Sequence, residues 1–121
     1  MKTLFIAFAL LLTIPAISQN GPVEFKAKTY SFGKIPQNKP VTTEFTFTNT
    51  SNKPVVIENA TAGCGCTTPV YPETPIMKGK TGQIKVTYNA AQLGSFSKNV
   101  LVKFANVDQP VELKIEGEVI K

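Results

Sequence analysis

The sequence predicts an all-β domain, an immunoglobulin-like antiparallel β-sandwich of about seven strands, preceded by a signal peptide. Three observations lead to this prediction. After the N-terminal segment, apolar and polar residues alternate with a period of two, and no stretch keeps a helical periodicity. Clusters of proline, glycine, asparagine and aspartate recur between the alternating segments. Short strands with one apolar and one polar face are typical of two sheets packed face to face.

The N-terminal segment has the pattern of a cleavable secretory signal. Lys2 supplies a positive charge, Leu4–Ile14 is an apolar run, and small residues precede the bond after Ser18. Because a membrane-spanning helix needs about twenty apolar residues, this run is too short to anchor the protein. We therefore expect residues 1–18 to be a signal peptide and residues 19–121 to be one domain. The protein is then periplasmic or extracellular, with no membrane span after cleavage.

The first three predicted strands precede the only cysteines. In the second of them, Phe45 and Phe47 share a face, whereas Glu44 and Thr46 share the other. Residues that favour turns lie between these strands, notably in segments 36–40 and 49–54. The three predicted strands are about Val23–Phe32, Val41–Asn49 and Val55–Glu58.

The last three predicted strands follow the cysteines and have the clearer alternation. Ile84, Val86 and Tyr88 share one face of the fourth, and Val100, Val102 and Phe104 one face of the fifth. In the sixth, the apolar residues Val111, Leu113, Ile115 and Val119 alternate with charged ones. The three predicted strands are Gln83–Asn89, Phe96–Phe104 and Val111–Ile120.

The charge distribution argues against nucleic-acid binding. The formal net charge is +5, but all 13 basic residues are lysines and they are scattered along the chain. Nucleic-acid sites favour the planar fork of arginine for base and phosphate contacts. We interpret the scattered lysines as a surface that keeps a secreted protein soluble.

The one chemically distinctive feature is the pair Cys64 and Cys66, in the segment Ala62-Gly-Cys-Gly-Cys-Thr-Thr-Pro69. Three interpretations remain open. In an oxidising compartment the pair can form a disulfide within the loop, with Gly65 supplying the backbone freedom. Two reduced thiolates can instead hold a soft ion such as Cu(I), although the ligands for four-coordinate zinc are missing. Reduced cysteines can also be small buried apolar residues without a chemical role.

A disulfide between residues two positions apart contributes little to folding. The chain-entropy relation gives roughly 1.6 kcal/mol for so short a loop, and strain reduces this value. A strained, exposed disulfide is also easier to reduce than a structural one. We therefore do not expect this pair to hold the fold together.

Several classes of enzyme are excluded by the residue types present. The chain contains no histidine, so a cysteine nucleophile or a serine triad would lack its usual base. The acidic residues do not form a pair suited to glycoside hydrolysis, because Glu44, Glu58, Glu112, Glu116 and Glu118 occupy solvent-facing strand positions. We therefore expect no enzyme and no cofactor, and no metal site unless Cys64 and Cys66 hold a soft ion.

The order of several short motifs resembles the bacterial family called domain of unknown function 1573. The resemblance covers nearly all of the chain after the signal segment and departs from the family at Met77-Lys78, where Pro-Gly is usual. It implies a secreted bacterial protein with an immunoglobulin-like sandwich, related to the Hydin-type and major-sperm-protein-like modules that serve in binding or assembly. It implies no catalytic residues. The motifs are Phe32-Gly-Lys-Ile35, Phe45-Thr-Phe-Thr-Asn-Thr50, Gly63-Cys-Gly-Cys-Thr67, Pro75-Ile-Met-Lys-Gly79, Gly94-Ser-Phe-Ser-Lys98 and Leu113-Lys-Ile-Glu-Gly-Glu-Val119.

The sequence thus leads to two functional hypotheses. The first is a secreted, non-catalytic interaction or structural module of the bacterial cell envelope, whose partner is an envelope or extracellular protein. The alternative is a redox-active or soft-metal (copper) binding protein that uses Cys64-Gly65-Cys66.

Overall fold

The computed structural model describes residues 21–121, which form strands joined by turns and no helix. The predicted signal peptide, residues 1–18, lies outside the described residues. The eight strands are β1 (Val23–Phe25), β2 (Thr29–Pro36), β3 (Val41–Asn49), β4 (Ile57–Ala62), β5 (Thr67–Val70), β6 (Thr81–Tyr88), β7 (Gly94–Phe104) and β8 (Val111–Ile120).

The strands form two four-stranded sheets, one in the order β1-β3-β6-β5 and the other in the order β2-β8-β7-β4. Every neighbouring pair is antiparallel except β2 and β8, which run parallel. The prediction of an all-β sandwich is confirmed. Strands β3 and β8 have the predicted bounds, and β6 and β7 differ from theirs by one or two residues at an end.

The first predicted strand is in fact two strands in different sheets. Strand β1 pairs with β3, the chain crosses at residues 26–28, and β2 then pairs with β8 in the other sheet. Backbone bonds hold both sides of the crossing: the Lys26 amide donates to the Thr46 carbonyl at 3.0 Å, and the Lys114 amide donates to the Lys28 carbonyl at 2.8 Å. The prediction failed here because each strand alternates with a period of two. The apolar positions only change from odd-numbered residues in β1 to even-numbered ones at the start of β2, and a bulge within one strand would produce the same shift.

The region around the cysteines also differs from the prediction. The third predicted strand was placed at Val55–Glu58, but Val55 forms an isolated bridge with Ile76, and β4 begins at Ile57. The short strand β5 was not predicted at all. Strand β4 carries small and polar residues, and β5 has only four residues, one of them Pro69, so neither has a recognisable alternation.

The core lies between the sheets and contains the residues that the alternation placed inward. The Phe47 ring is fully buried, with centroids 5.4 Å from Phe25 and 5.5 Å from Phe104. Gly82 lies directly against it: a Cβ added there would be 2.5 Å from Phe47 Cζ. Gly82 is therefore a packing requirement, because a larger residue would displace the ring.

Asn49 ends β3 as a buried residue, although the sequence placed it at the start of a turn. Its Nδ2 donates to the Lys53 carbonyl at 2.7 Å and to the Ile76 carbonyl at 2.9 Å. Its Oδ1 accepts from the Ser51 amide at 2.9 Å and from the Ser51 hydroxyl at 2.6 Å. All the hydrogen-bonding capacity of the amide is used, so this side chain organises the turn after β3 and the segment that carries Ile76.

Candidate functional site

The two cysteines lie in the turn that joins the sheets at one border of the sandwich. Strand β4 is an edge strand of one sheet and β5 an edge strand of the other. The chain passes between them through residues 63–66. Thr67, the first residue of β5, pairs with Tyr88, and Tyr88 also pairs with Val41 at the start of β3. The cysteines are therefore at the end of the sandwich opposite Asn49.

The structure joins Cys64 to Cys66 through a disulfide, with their Cα atoms 5.3 Å apart. This separation is within the usual range for disulfides, and Gly65 lies in the turn between them. Both cysteines are half-buried, and Cys66 packs against the core. The structure thus brings the two predicted site residues together, whereas their redox state in the native compartment stays a prediction.

Thr67 is a site residue that the sequence analysis did not single out. Only 4% of its surface is exposed, and its Oγ1 lies 3.6 Å from the Cys66 sulfur and 3.9 Å from the Cys64 sulfur. Within residues 21–121, the Thr67 hydroxyl has these two sulfurs as its hydrogen-bond partners. Thr67 is part of the Gly-Cys-Gly-Cys-Thr motif. Its hydroxyl faces the sulfurs because Thr67 begins the short strand β5, which the sequence did not predict.

Lys98 is a second residue that sequence reasoning missed. On β7 it follows the alternation of the buried residues Phe96 and Val100, so it belongs to the inner face of the sheet and is half-buried. The three ion pairs among residues 21–121 do not include it. A lysine at an inward position is unusual, and the alternation of the predicted fifth strand already contained this signal.

Two cavities open at the disulfide, and Lys98 lines both. The smaller has a volume of about 320 Å³ and is bordered by Cys64, Cys66, Tyr88 and Gln92. The larger is an open groove of about 530 Å³ over the paired strands β4 and β7, bordered by Cys64, Thr61 and the exposed Leu101. Cys64 lies on both cavities, whereas Cys66 lies only on the smaller one and packs against the core.

The four edge strands of the sandwich are not equally protected against pairing with another chain. Strand β1 has three residues, and β5 has four, including Pro69. Strand β2 carries a bulge at Gly33, whose φ is 70°, and ends at Pro36. After an irregularity between Ile57 and Asn59, β4 pairs regularly with β7 through Ala62. Short length, proline and bulges protect edges. Strand β4 has six residues and no proline, and its one irregularity lies near its start, so it is the least protected of the four.

The described residues contain neither a cluster of metal ligands nor a membrane-spanning helix. Residues 21–121 bring together no group of three histidine, cysteine, aspartate or glutamate residues that could hold a metal ion. They also contain no helix of sufficient length and apolar character to span a lipid bilayer.

Solved structures with the same fold come from very different proteins. A protein of unknown function from Porphyromonas gingivalis W83 superposes with a TM-score of 0.67 at 13% identity, over 79% of this chain and 46% of that one. The PapD-like domain 7 of human CEP192 superposes with a TM-score of 0.70 at 9% identity, over 83% and 86% of the two chains. The secreted serine protease VesC from Vibrio cholerae superposes with a TM-score of 0.64 at 13% identity, over 84% and 24%.

These likenesses establish the fold and nothing further, since the identities are low. The chain spans less than half the length of the Porphyromonas gingivalis structure. No curated protein matches the sequence significantly. Residues 23–119 match the family described as a protein of unknown function (DUF1573), which covers all eight strands except the last residue of β8. The chain belongs to the DUF1573 family.

Proposed function

We propose that this protein is a non-catalytic interaction module of the bacterial cell envelope, and that its β4 edge binds an extended segment of another envelope protein. The observation that carries the proposal is that the least protected edge of the sandwich lies between Asn59 and Ala62, next to the disulfide turn. An open strand edge offers unpaired backbone groups to another chain, and proteins commonly protect the edges that are not used for binding.

The binding mode is the addition of a strand to the sheet. Strand β4 pairs only with β7 among the described strands, so its outer backbone groups are available to a partner chain. Backbone hydrogen bonds then supply affinity, and pockets for alternate side chains supply specificity. The groove beside Thr61 provides such a pocket, with Leu101, 42% exposed, as its apolar contact.

The disulfide and the bridge between Val55 and Ile76 hold this edge in place. The bridge is formed by two backbone hydrogen bonds of 2.8 and 2.9 Å just before β4, and the disulfide follows β4 directly. A rigid edge loses less conformational entropy on binding than a mobile one. Location in the envelope is supported by the signal-like N-terminus and by the disulfide, which persists outside the reducing cytoplasm.

The experiment is site-specific photocrosslinking in the native envelope. A photoreactive residue is placed at Thr61 on β4, or at Thr81, which is also exposed but lies on the other sheet. We expect a crosslink to a defined envelope protein from Thr61 and none from Thr81. The substitution Thr61→Lys should weaken capture by a probe at Asn59, whereas Thr81→Lys should not, because edge lysines disfavour pairing.

The outcome that contradicts the proposal is equally specific. The proposal is wrong if the probe at Thr81 captures as much protein as the probe at Thr61, or more. It is also wrong if Thr61→Lys leaves capture by the probe at Asn59 unchanged. Circular dichroism of both lysine variants establishes that each retains the β-sandwich.

A further inference from the structure

We propose that the Cys64–Cys66 disulfide undergoes thiol–disulfide exchange with a dithiol of a second molecule, and that Lys98 and Thr67 stabilise the thiolate that leaves. The proposal does not depend on partner binding at β4. It rests on the positions of these two residues around the disulfide and on the cavities that give access to it.

A second molecule can reach Cys64 from both cavities but Cys66 from only one of them. Cys64 borders both cavities, whereas Cys66 borders only the smaller one and packs against the core. An incoming thiolate therefore attacks the Cys64 sulfur, and the Cys66 sulfur is the leaving group. This assignment also brings the leaving sulfur closest to Thr67, whose Oγ1 is 3.6 Å away.

The surroundings of the leaving sulfur suit a thiolate better than a disulfide. Thr67 is 4% exposed, and its hydroxyl is directed at sulfur atoms, which accept hydrogen bonds weakly when they are bonded to each other. A thiolate is a charged acceptor and forms a stronger hydrogen bond. Lys98 adds a positive charge to the wall of the cavity that contains both cysteines, and neighbouring cations favour the thiolate form.

The exchange consists of two displacements. A thiolate of the dithiol attacks the Cys64 sulfur; the bond between Cys64 and Cys66 breaks, a mixed disulfide forms, and the Cys66 thiolate takes a proton from solvent. The second thiol of the dithiol, after losing its proton to solvent, attacks the dithiol sulfur of the mixed disulfide. The bond to Cys64 breaks, and Cys64 leaves as a thiolate that takes a proton from solvent. The dithiol becomes a disulfide, and the protein gains two electrons and two protons.

Folding does not require this disulfide, which leaves it free to react. A loop closed over two residues contributes little through chain entropy, so reduction need not unfold the domain. The Asn89 amide also donates to the Cys66 carbonyl at 2.9 Å, a backbone bond that holds the turn in place independently of the sulfur atoms.

The test compares two small thiols of opposite charge, 2-mercaptoethanesulfonate and cysteamine, as reductants of the mature oxidised protein. Mass spectrometry of quenched, alkylated samples gives each rate constant. We expect Lys98→Met to lower the ratio of the anionic to the cationic rate about fivefold, since a nearby cation favours the anionic reagent. Thr67→Val should slow both reactions about threefold through the lost hydrogen bond to the thiolate.

Two further variants control for net charge and for folding. Lys53→Met removes a lysine at the other end of the sandwich and should leave the rate ratio near that of the unmodified protein. Lys98→Arg keeps the cation and should retain the ratio, which separates charge from packing. Dithiothreitol, as the dithiol probe, should reduce the pair fully and make both cysteines available for alkylation.

The proposal is overturned if Lys98→Met leaves the rate ratio unchanged, or if dithiothreitol does not reduce the pair in the folded protein. If Lys98→Met does not fold, Lys98→Gln replaces it with the same expectation. A protein that exchanges as expected but gives no crosslink from Thr61 supports this inference and contradicts the proposed function, so the two are tested separately.

Discussion

Asn49 provides a direct test of how this sandwich holds its turns together. The change is Asn49→Asp, which keeps the shape of the side chain and the oxygen that accepts from Ser51. It replaces the Nδ2 that donates to the carbonyls of Lys53 and Ile76 with a carboxylate oxygen. Asn49 is 1% exposed, so water cannot substitute for the lost donor. The introduced charge also faces two carbonyl oxygens.

The expected loss follows from these contacts. Each lost hydrogen bond removes about 1 kcal/mol, and placing a charge against two carbonyls in a buried site adds about 1 kcal/mol more. The free energy of unfolding should therefore fall by about 3 kcal/mol, a large part of the roughly 5–15 kcal/mol typical of a domain. In acid the deficit should shrink, because a protonated carboxyl can again donate to one carbonyl.

Urea unfolding followed by far-ultraviolet circular dichroism measures this loss. The matched control is Asn52→Asp, which makes the same charge change at an exposed position of the same turn and should alter stability by less than about 0.5 kcal/mol. The reasoning is refuted if Asn49→Asp is as stable as the control at neutral pH, or if its deficit grows on acidification.

Three further predictions concern the core, the disulfide and the N-terminus. Gly82→Ala should lower stability by about 2 kcal/mol because its methyl group collides with Phe47, whereas Gly63→Ala, with open space around it, should be nearly neutral in urea unfolding. The double change Cys64→Ser and Cys66→Ser should cost less than about 2 kcal/mol in the same assay, and a larger loss would contradict the chain-entropy argument. Mass spectrometry of protein from its native compartment should find a mature chain that starts at Gln19, with Cys64 and Cys66 protected from alkylation; an intact Met1 would contradict secretion.

The sequence predicted the sandwich because its central strands alternate. In β3 and β8, most inward positions carry large apolar residues such as Phe45 and Leu113, and polar residues point outward. Thr43, Asn49 and Gly117 are the inward exceptions. The structure buries these large apolar residues, so the period-two pattern and the bounds of the two strands agree. One face of each strand is buried, and this burial is the physical cause of the period-two pattern and of its agreement with the strand bounds.

The edges could not be predicted in the same way. Strands β4 and β5 bury few large side chains, so hydrophobic alternation, the main signal in a sequence, is absent from them. The crossing between β1 and β2 was missed for another reason: both strands alternate, and the change of phase between Phe25 and Tyr30 is also what a bulge in one continuous strand would give. Long-range pairing, such as that of Thr29 with Lys114, decides which sheet a strand joins. The local sequence pattern carries no information about that pairing.

The candidate site was predicted only in part. Cys64 and Cys66 were identifiable because they are the only cysteines. Thr67 and Lys98 join them through the pairing of β5 with β6 and the packing of β7, which the sequence did not reveal. Lys98 could have been noticed as a charged residue at an inward position between Phe96 and Val100.

Backbone hydrogen exchange gives the most direct test of the β4 edge as the binding surface. The protein is compared with and without the envelope protein captured through Thr61, and exchange is measured for residues 59–62 and for the other edge strands. Strand addition predicts slower exchange in residues 59–62 and unchanged exchange in β1, β2 and β5. Protection confined to one of those other edges, or none in residues 59–62, would contradict the account.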